Sequence, residues 1–188
     1  MSAPPARSRL RHERWILGPV AQVTIRALTL GDRDAALEVI NRAARWYGEF
    51  LPPEEVHDPE MTATQWDEEA RRLTWHGGFL DGALVGVMGL EYAHDAALLR
   101  HAYILPEHQH RGIGLRLSEH LEDLVRRERA GRGLRRIIVG TYARNYKARG
   151  ALEKMGYRLS TDSAAVLREY YAIPEDRLRA SVTYEKPA

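Results

Sequence analysis

Between Leu99 and Leu117 an apolar-rich stretch stops at Pro106, crosses the polar turn Gln109-His110-Arg111-Gly112-Ile113-Gly114, and enters a segment whose apolar residues recur at helical spacing. A strand that passes through such a turn straight into a helix gathers unpaired backbone N–H groups and the positive end of the helix dipole at one spot. That spot attracts an anion. Gly112 and Gly114 remove side chains that would hold a diphosphate off the backbone, and His110 and Arg111 add charge at its rim. A dinucleotide-binding fingerprint is excluded, because its third glycine falls on Leu117. A P-loop needs Gly-Lys-Ser/Thr, which is absent. Alone, the turn has a plainer reading, as glycines that let a strand bend tightly into a helix.

The rest of the chain supplies the context. Val23 to Ala27 alternates as a half-buried strand does, and Asp32 to Tyr47 places Ala36, Val39, Ile40 and Ala43 at helical spacing. Residues 51–60 form a Pro-containing loop, and Thr62 with Gln65 resembles a capping box opening a helix with Trp66, Ala70 and Leu73 on one face. Asp81-Gly82 between two apolar runs marks a hairpin. A strand over Ala97–Leu105, a helix over Gly112–Arg129 ended by Gly131 and Gly133, a strand over Arg136–Gly140, a helix over Asn145–Met155 and strands at Tyr157–Leu159 and Ser181–Tyr184 complete the order. A partly helical insertion around Ser163–Ile173 separates the last two strands. The expected fold class is α+β (mixed α/β): a mostly antiparallel twisted sheet of about seven strands, flanked by about four helices, with one right-handed βαβ crossover through the long helix.

Gln109-x-x-Gly112-x-Gly114 resembles the Gln/Arg-x-x-Gly-x-Gly/Ala turn of the GNAT superfamily of acyl-CoA-dependent N-acetyltransferases. After the next helix and strand, Asn145-x-x-Ala148 leading to Glu153-Lys154-Met155-Gly156-Tyr157 resembles that family's second signature, and the likeness in element order runs from Val23 to Tyr184. The resemblance implies acetyl-CoA as cofactor, with its pantetheine arm between two splayed strands. It implies pantetheine pairing with the backbone of Ala102, Tyr103 and Ile104, Leu105 following at the strand end, and the Ile104 N–H polarising the thioester carbonyl. Gln109, His110, Arg111, Gly112, Ile113, Gly114 and Leu115 would hold the pyrophosphate. Asn145 would contact pantetheine, although the same residue is equally placed as a helix N-cap. The stretches Arg100–Tyr103 and Leu167–Pro174 are similar to a bacterial branch of the family.

The pattern breaks at the acid-base positions. Many members protonate the leaving thiolate with a Tyr where this chain has Leu152, which belongs to an apolar stripe with Ala148, Ala151 and Met155. A thiol of pKa about 8.5 leaves as thiolate at pH 7 at a cost of about 2 kcal/mol, whereas deprotonating a lysine-like amine costs roughly 4.6 kcal/mol. A base matters more than an acid here. Tyr142 and Tyr146 are candidate acids, each also a packing aromatic. Where some members carry a Glu or His this chain has Leu98 and Arg100, which leaves Glu91, His101 and His94 as candidate bases. Each has a plainer alternative: a solvated strand end for Glu91, a hydrogen-bonded core histidine for His101. His108, His110 and His101 have no carboxylate at matching spacing, so no metal is expected.

Composition narrows the partners. The 188 residues suit one domain, expected over 21–188 after a flexible basic tail at 1–20. With 28 Lys and Arg against 26 Asp and Glu the net charge is only +2, so nucleic acid is not an expected partner. No apolar run is long enough to span a bilayer, and the absence of cysteine fits a reducing, cytoplasmic setting. The expected acceptor is a primary amine of a small molecule or peptide; a non-catalytic acyl-CoA-binding module is the rival reading. The pair Tyr170-Tyr171 in the insertion is open to three roles: capping the acceptor pocket, packing a homodimer interface, or packing its own helix. Trp46, Tyr47 and Trp66 are candidates for the acceptor wall or the core.

Overall fold

A computed structural model of the chain describes residues 23–47, 53, 56–171 and 178–188, so the expected tail at 1–20 lies outside the described residues. Seven strands form one sheet: β1 Val23–Ala27, β2 Leu73–Leu80, β3 Ala83–Ala93, β4 Ala96–Ile104, β5 Arg136–Tyr142, β6 Arg158–Leu159 and β7 Ser181–Pro187. Their order is β1-β2-β3-β4-β5-β7-β6, and every pairing is antiparallel except β4 with β5. Among the described residues five α-helices accompany them: α1 Arg33–Tyr47, α2 Ala63–Glu69, α3 Ile113–Arg132, α4 Tyr146–Lys154 and α5 Ser163–Tyr170. The sheet and its single crossover are those expected from sequence; the insertion supplies the fifth helix.

Local signals account for the elements. The capping box at α2 is present, Gln65 N–H donating to Thr62 Oγ1 at 3.2 Å and Thr62 N–H to Gln65 Oε1 at 2.8 Å. Asp81 and Gly82 both take positive φ, 50° and 84°, as a two-residue hairpin of this hand requires. Ala36, Val39, Ile40 and Ala43 are all buried, so the stripe on α1 is its core face.

Two expectations need correction, and one open reading narrows. Leu73 does not continue α2: it opens β2, opposite Glu91, because the eight-residue strand buries Leu73 and Trp75 and stacks Trp75 on Trp66 with ring centroids 4.0 Å apart. Gly131 does not end α3, which runs to Arg132; Gly133 alone takes the left-handed cap at φ 66° and donates its N–H to Arg129 O. In the insertion, Val166, Leu167 and Tyr170 are buried, and the Tyr170 hydroxyl donates to Asp95 Oδ1 at 2.6 Å while accepting from Arg136 at 2.9 Å. The bonds of Tyr170 therefore go inward, to its own domain.

Two features of the sheet set up the site. A Cβ on Gly86 would stand 2.4 Å from Ile104 Cδ1 and 3.3 Å from Ile113 Cγ2, so glycine there lets α3 lie close on this face; by alternation Val85 and Val87 face α1 on the other. The ladder between β4 and β5 holds for only four pairs, from Ala96 with Arg136 to Leu99 with Val139. Beyond that point the strands part. On its other edge β4 carries a bulge, since Val87 faces Tyr103 while Gly89 faces Arg100, and His101 there adopts φ 53°.

His76 of β2 is buried, 5.3 Å from the His120 ring on α3, with Nδ1 unpartnered. Burial, then the His120 charge, lowers its pKa from 6.5 to about 4. The folded state thus favours the neutral ring, and the stability this gives is complete above pH 6.5 and lost as pH falls toward 4. Up to roughly 3 kcal/mol is at stake. Denaturant unfolding of the parent from pH 7 to 4.5 should therefore show a steeper loss than the His76→Phe variant; equal slopes would show that this pair carries none of the acid sensitivity.

Candidate active site in the strand gap

A cavity of about 830 Å³ fills the gap where β4 and β5 separate. It is lined from the α3 face by Gly114, Ser118 and Glu122, from α4 by Ala148 and Leu152, and from the α1 side by Ala44, Glu60, His101 and Tyr103. It therefore passes through the sheet, bounded by residues from both faces.

At its open end lies the glycine turn. A 3-10 turn over Pro106–His108 carries the chain out of β4, and Gly112, at φ 76°, starts α3 without any side-chain cap. The first rung of the helix ladder runs from Arg116 N–H to Gly112 O, so the N–H groups of Ile113, Gly114 and Leu115 precede it. His110 and Arg111 are exposed beside them. A Cβ on Gly114 would meet nothing closer than Ile104 Cγ1 at 3.7 Å, an ordinary contact, so the protein's own packing does not require glycine at this cavity-lining position. A ligand close to the backbone would.

The other residues of the expected cofactor set fall in several places. Ala102 and Tyr103 line the cavity; Ile113 is buried core, leaving only its backbone for a ligand. Gln109 turns inward and donates from Nε2 to Ile104 O at 3.3 Å, pinning the turn to the strand. Leu105 donates its N–H to Val85 O and is buried, so it anchors β4 to β3. Asn145 lines the cavity and caps α4, its Oδ1 accepting from Ala148 N–H at 3.1 Å.

The candidate acid-base groups separate likewise. His101 lines the cavity and its Nε2 lies 3.2 Å from Glu69 Oε2. Burial alone would raise the Glu69 carboxyl, but hydrogen bonding and charge from His101, with Arg100 and Arg72 adding, bring it down to about 2. As a carboxylate Glu69 can only accept, so Nε2 carries a hydrogen in this bond, and in a neutral ring the lone pair is then on Nδ1. Glu91 is not a lining residue: its Oε2 takes Arg100 at 2.6 Å and Arg72 at 3.5 Å. His94 stands in the β3–β4 turn, at the end of β4 remote from the gap. Tyr142 lines the cavity at the end of β5, whereas Tyr146 is 70% exposed and outside it; Leu152 is buried against the cavity wall. Among the described residues no group of three or more His, Cys, Asp or Glu is placed to hold a metal ion.

Sequence reasoning missed Glu69, Glu60, Glu122 and Lys186. Glu60 accepts from the Tyr103 hydroxyl at 2.7 Å across the cavity, and Lys186 meets Glu122 at 2.5 Å. All four act through partners distant along the chain, which no local pattern reports. Trp66 belongs to the core, Trp46 is half exposed, and the side chain of Tyr47 lies outside the described residues.

Several solved structures share this architecture. An N-acetyltransferase, PaiA, from Thermoplasma acidophilum in complex with coenzyme A superposes with a TM-score of 0.65 at 18% identity, covering 89% of this chain and 99% of that one. The ribosomal-protein-S18-alanine N-acetyltransferase from Escherichia coli gives 0.63 at 20% identity, covering 88% and 94%. An acetyltransferase from Thermus thermophilus gives 0.61 at 21% identity, covering 88% and 97%. No curated protein sequence matches the chain significantly. Residues 40–157, which span the sheet from β2 through β5, the glycine turn and α4, match the model of the acetyltransferase (GNAT) family, and the chain belongs to that family.

Proposed function

We propose that this chain transfers an acetyl group from acetyl-CoA to a primary amine of a small molecule or peptide by direct attack in a ternary complex. The observation that supports this most is the cavity through the parted strands, with the start of α3 at one end and His101 with Glu69 at the other. Acetyl-CoA supplies an activated thioester. The N–H groups of Ile113, Gly114 and Leu115 bind its diphosphate, with Arg111 adding charge. The unpaired edge of β4 over Ala102–Ile104 orients the pantetheine arm, and the Ile104 N–H faces the developing negative charge on the carbonyl oxygen.

The acceptor enters from the α1 side, where Glu60 and Glu69 favour a cationic group. His101, neutral, takes a proton at Nδ1 from the acceptor's ammonium, and Glu69 positions the ring by accepting from Nε2. The amine so freed forms the C–N bond at the thioester carbonyl as the C–S bond breaks. No tyrosine stands at position 152, so the thiolate leaves unprotonated or takes a proton from Tyr142; the cost, about 2 kcal/mol at pH 7, is tolerable. The Escherichia coli neighbour is named for an alanine of ribosomal protein S18, an amine-bearing acceptor of peptide type.

Thiol release from acetyl-CoA in the presence of a panel of primary amines tests the reading. Turnover with at least one amine is expected, and the His101→Asn variant should lose about a hundredfold in kcat with little change in the KM for acetyl-CoA. A loss below tenfold would remove His101 as the base. Cofactor binding with no turnover across the panel would instead favour an acyl-CoA-binding module, the reading that Leu152 supports.

Gly114→Asp places a carboxylate in the first turn of α3, where it suits the helix dipole but opposes a diphosphate. The variant should weaken CoA by at least about tenfold in a calorimetric titration while its melting temperature holds or rises. Unchanged affinity would overturn the placement of the diphosphate.

A further inference from the structure

The cavity ends on a buried charged cluster that the chemistry above does not use. Gly114, Ser118 and Glu122 recur every fourth residue on α3, so they mark one line running down the helix for about 12 Å from the glycine turn. At its lower end Glu122 is 8% exposed. Its Oε1 accepts from the Tyr157 hydroxyl at 2.8 Å and its Oε2 from Lys186 Nζ at 2.5 Å. Lys186 also donates to Met155 O at 3.3 Å and sits 4.6 Å from the Tyr157 ring centroid. Its backbone on β7 is opposite Ile137, two residues before the last β4–β5 pair at Val139, so the cluster closes the cavity where the strands come together.

A thioester whose diphosphate rests at the open end of the gap directs its acyl group toward this closed end. The walls there are apolar, from Met88, Leu99, Val139 and Leu152, and would reward each added methylene. The floor would not. An alkyl end pressed on Glu122 and Lys186 strips their remaining water and returns no hydrogen bond. A buried ion pair is also a poor device for stability, since apolar residues of similar volume often serve as well or better.

We propose that the Glu122–Lys186 pair is a specificity-determining floor that confines the acyl donor to short chains and rejects long alkyl ones. The proposal rests on the acyl-CoA reading of the site and adds the class of acyl group. Removing one partner would leave the other charge buried and unpaired, so the informative variant is the double substitution Glu122→Gln with Lys186→Met, which keeps an acceptor for Tyr157 and the length of the lysine.

Calorimetric titration with CoA, acetyl-CoA, butyryl-CoA and hexanoyl-CoA tests it without knowledge of the amine. In the parent, hexanoyl-CoA should bind at least about tenfold more weakly than acetyl-CoA, and in the double variant the ratio should fall to about threefold or less. Equal or tighter binding of hexanoyl-CoA by the parent, or the same ratio in a folded double variant, overturns the floor. Should the double variant not fold, the parent series decides alone: affinity that rises through hexanoyl overturns the proposal, and affinity that drops at the longer chains upholds it. Failure of CoA itself to bind the parent overturns the reading of the site, and the floor with it.

Discussion

How near α3 can come to the sheet governs everything built above it. Gly78 and Gly86 present bare backbone where Ile113 and Leu117 press down, and a Cβ at either position would crowd Ile113. Because Ile113 is both the first residue of α3 and a buried anchor, the start of the helix is fixed by core packing rather than by a surface loop. The N–H groups proposed to meet the diphosphate are therefore held by the same contacts that hold the fold. An anion site made this way would be preorganised, since little would have to be ordered on binding.

The α1 side of the cavity, where the acceptor is proposed to enter, depends on charge rather than on packing. Glu69, Arg72, Glu91, Arg100 and His101 form one connected set in which each carboxylate meets a cation. Arg100 serves as a spacer, its guanidinium held by Glu91 and lying 5.3 Å from the Tyr171 ring. That arrangement separates the two glutamates chemically. Glu91 is committed to guanidinium groups, while Glu69, meeting Arg72 through Oε1, orients through Oε2 the one imidazole among the described residues that lines the cavity.

Much of the framework was legible in the sequence because it is written in local signals. The Thr62/Gln65 box, the Asp81-Gly82 turn and the glycines at 112 and 114 each act over a few residues, and each does what its chemistry predicts. The misread places are those where distant partners prevail. Leu73 continued a helical period on paper but is taken by the ladder with β3, and Gly131 carried a stop signal that the helix overrides because Gly133 caps it. The site residues divide along the same line. The backbone-donating turn could be found from spacing alone, whereas Glu69, Glu60 and the Glu122–Lys186 pair depend on neighbours far away in the chain. His101 was visible only as one candidate among several until its hydrogen bond to Glu69 set it apart.

The brevity of the parallel ladder has a mechanical side. Only four residue pairs of ladder join the half-sheet β1–β4 to the half-sheet β5–β7–β6, so a pulling force or a thermal fluctuation meets a short seam there. A molecule lodged between the two halves acts as a rivet, and its departure restores compliance along that line. In a protein of this design, the ease with which the halves breathe and the occupancy of the crevice are linked quantities, each setting the other.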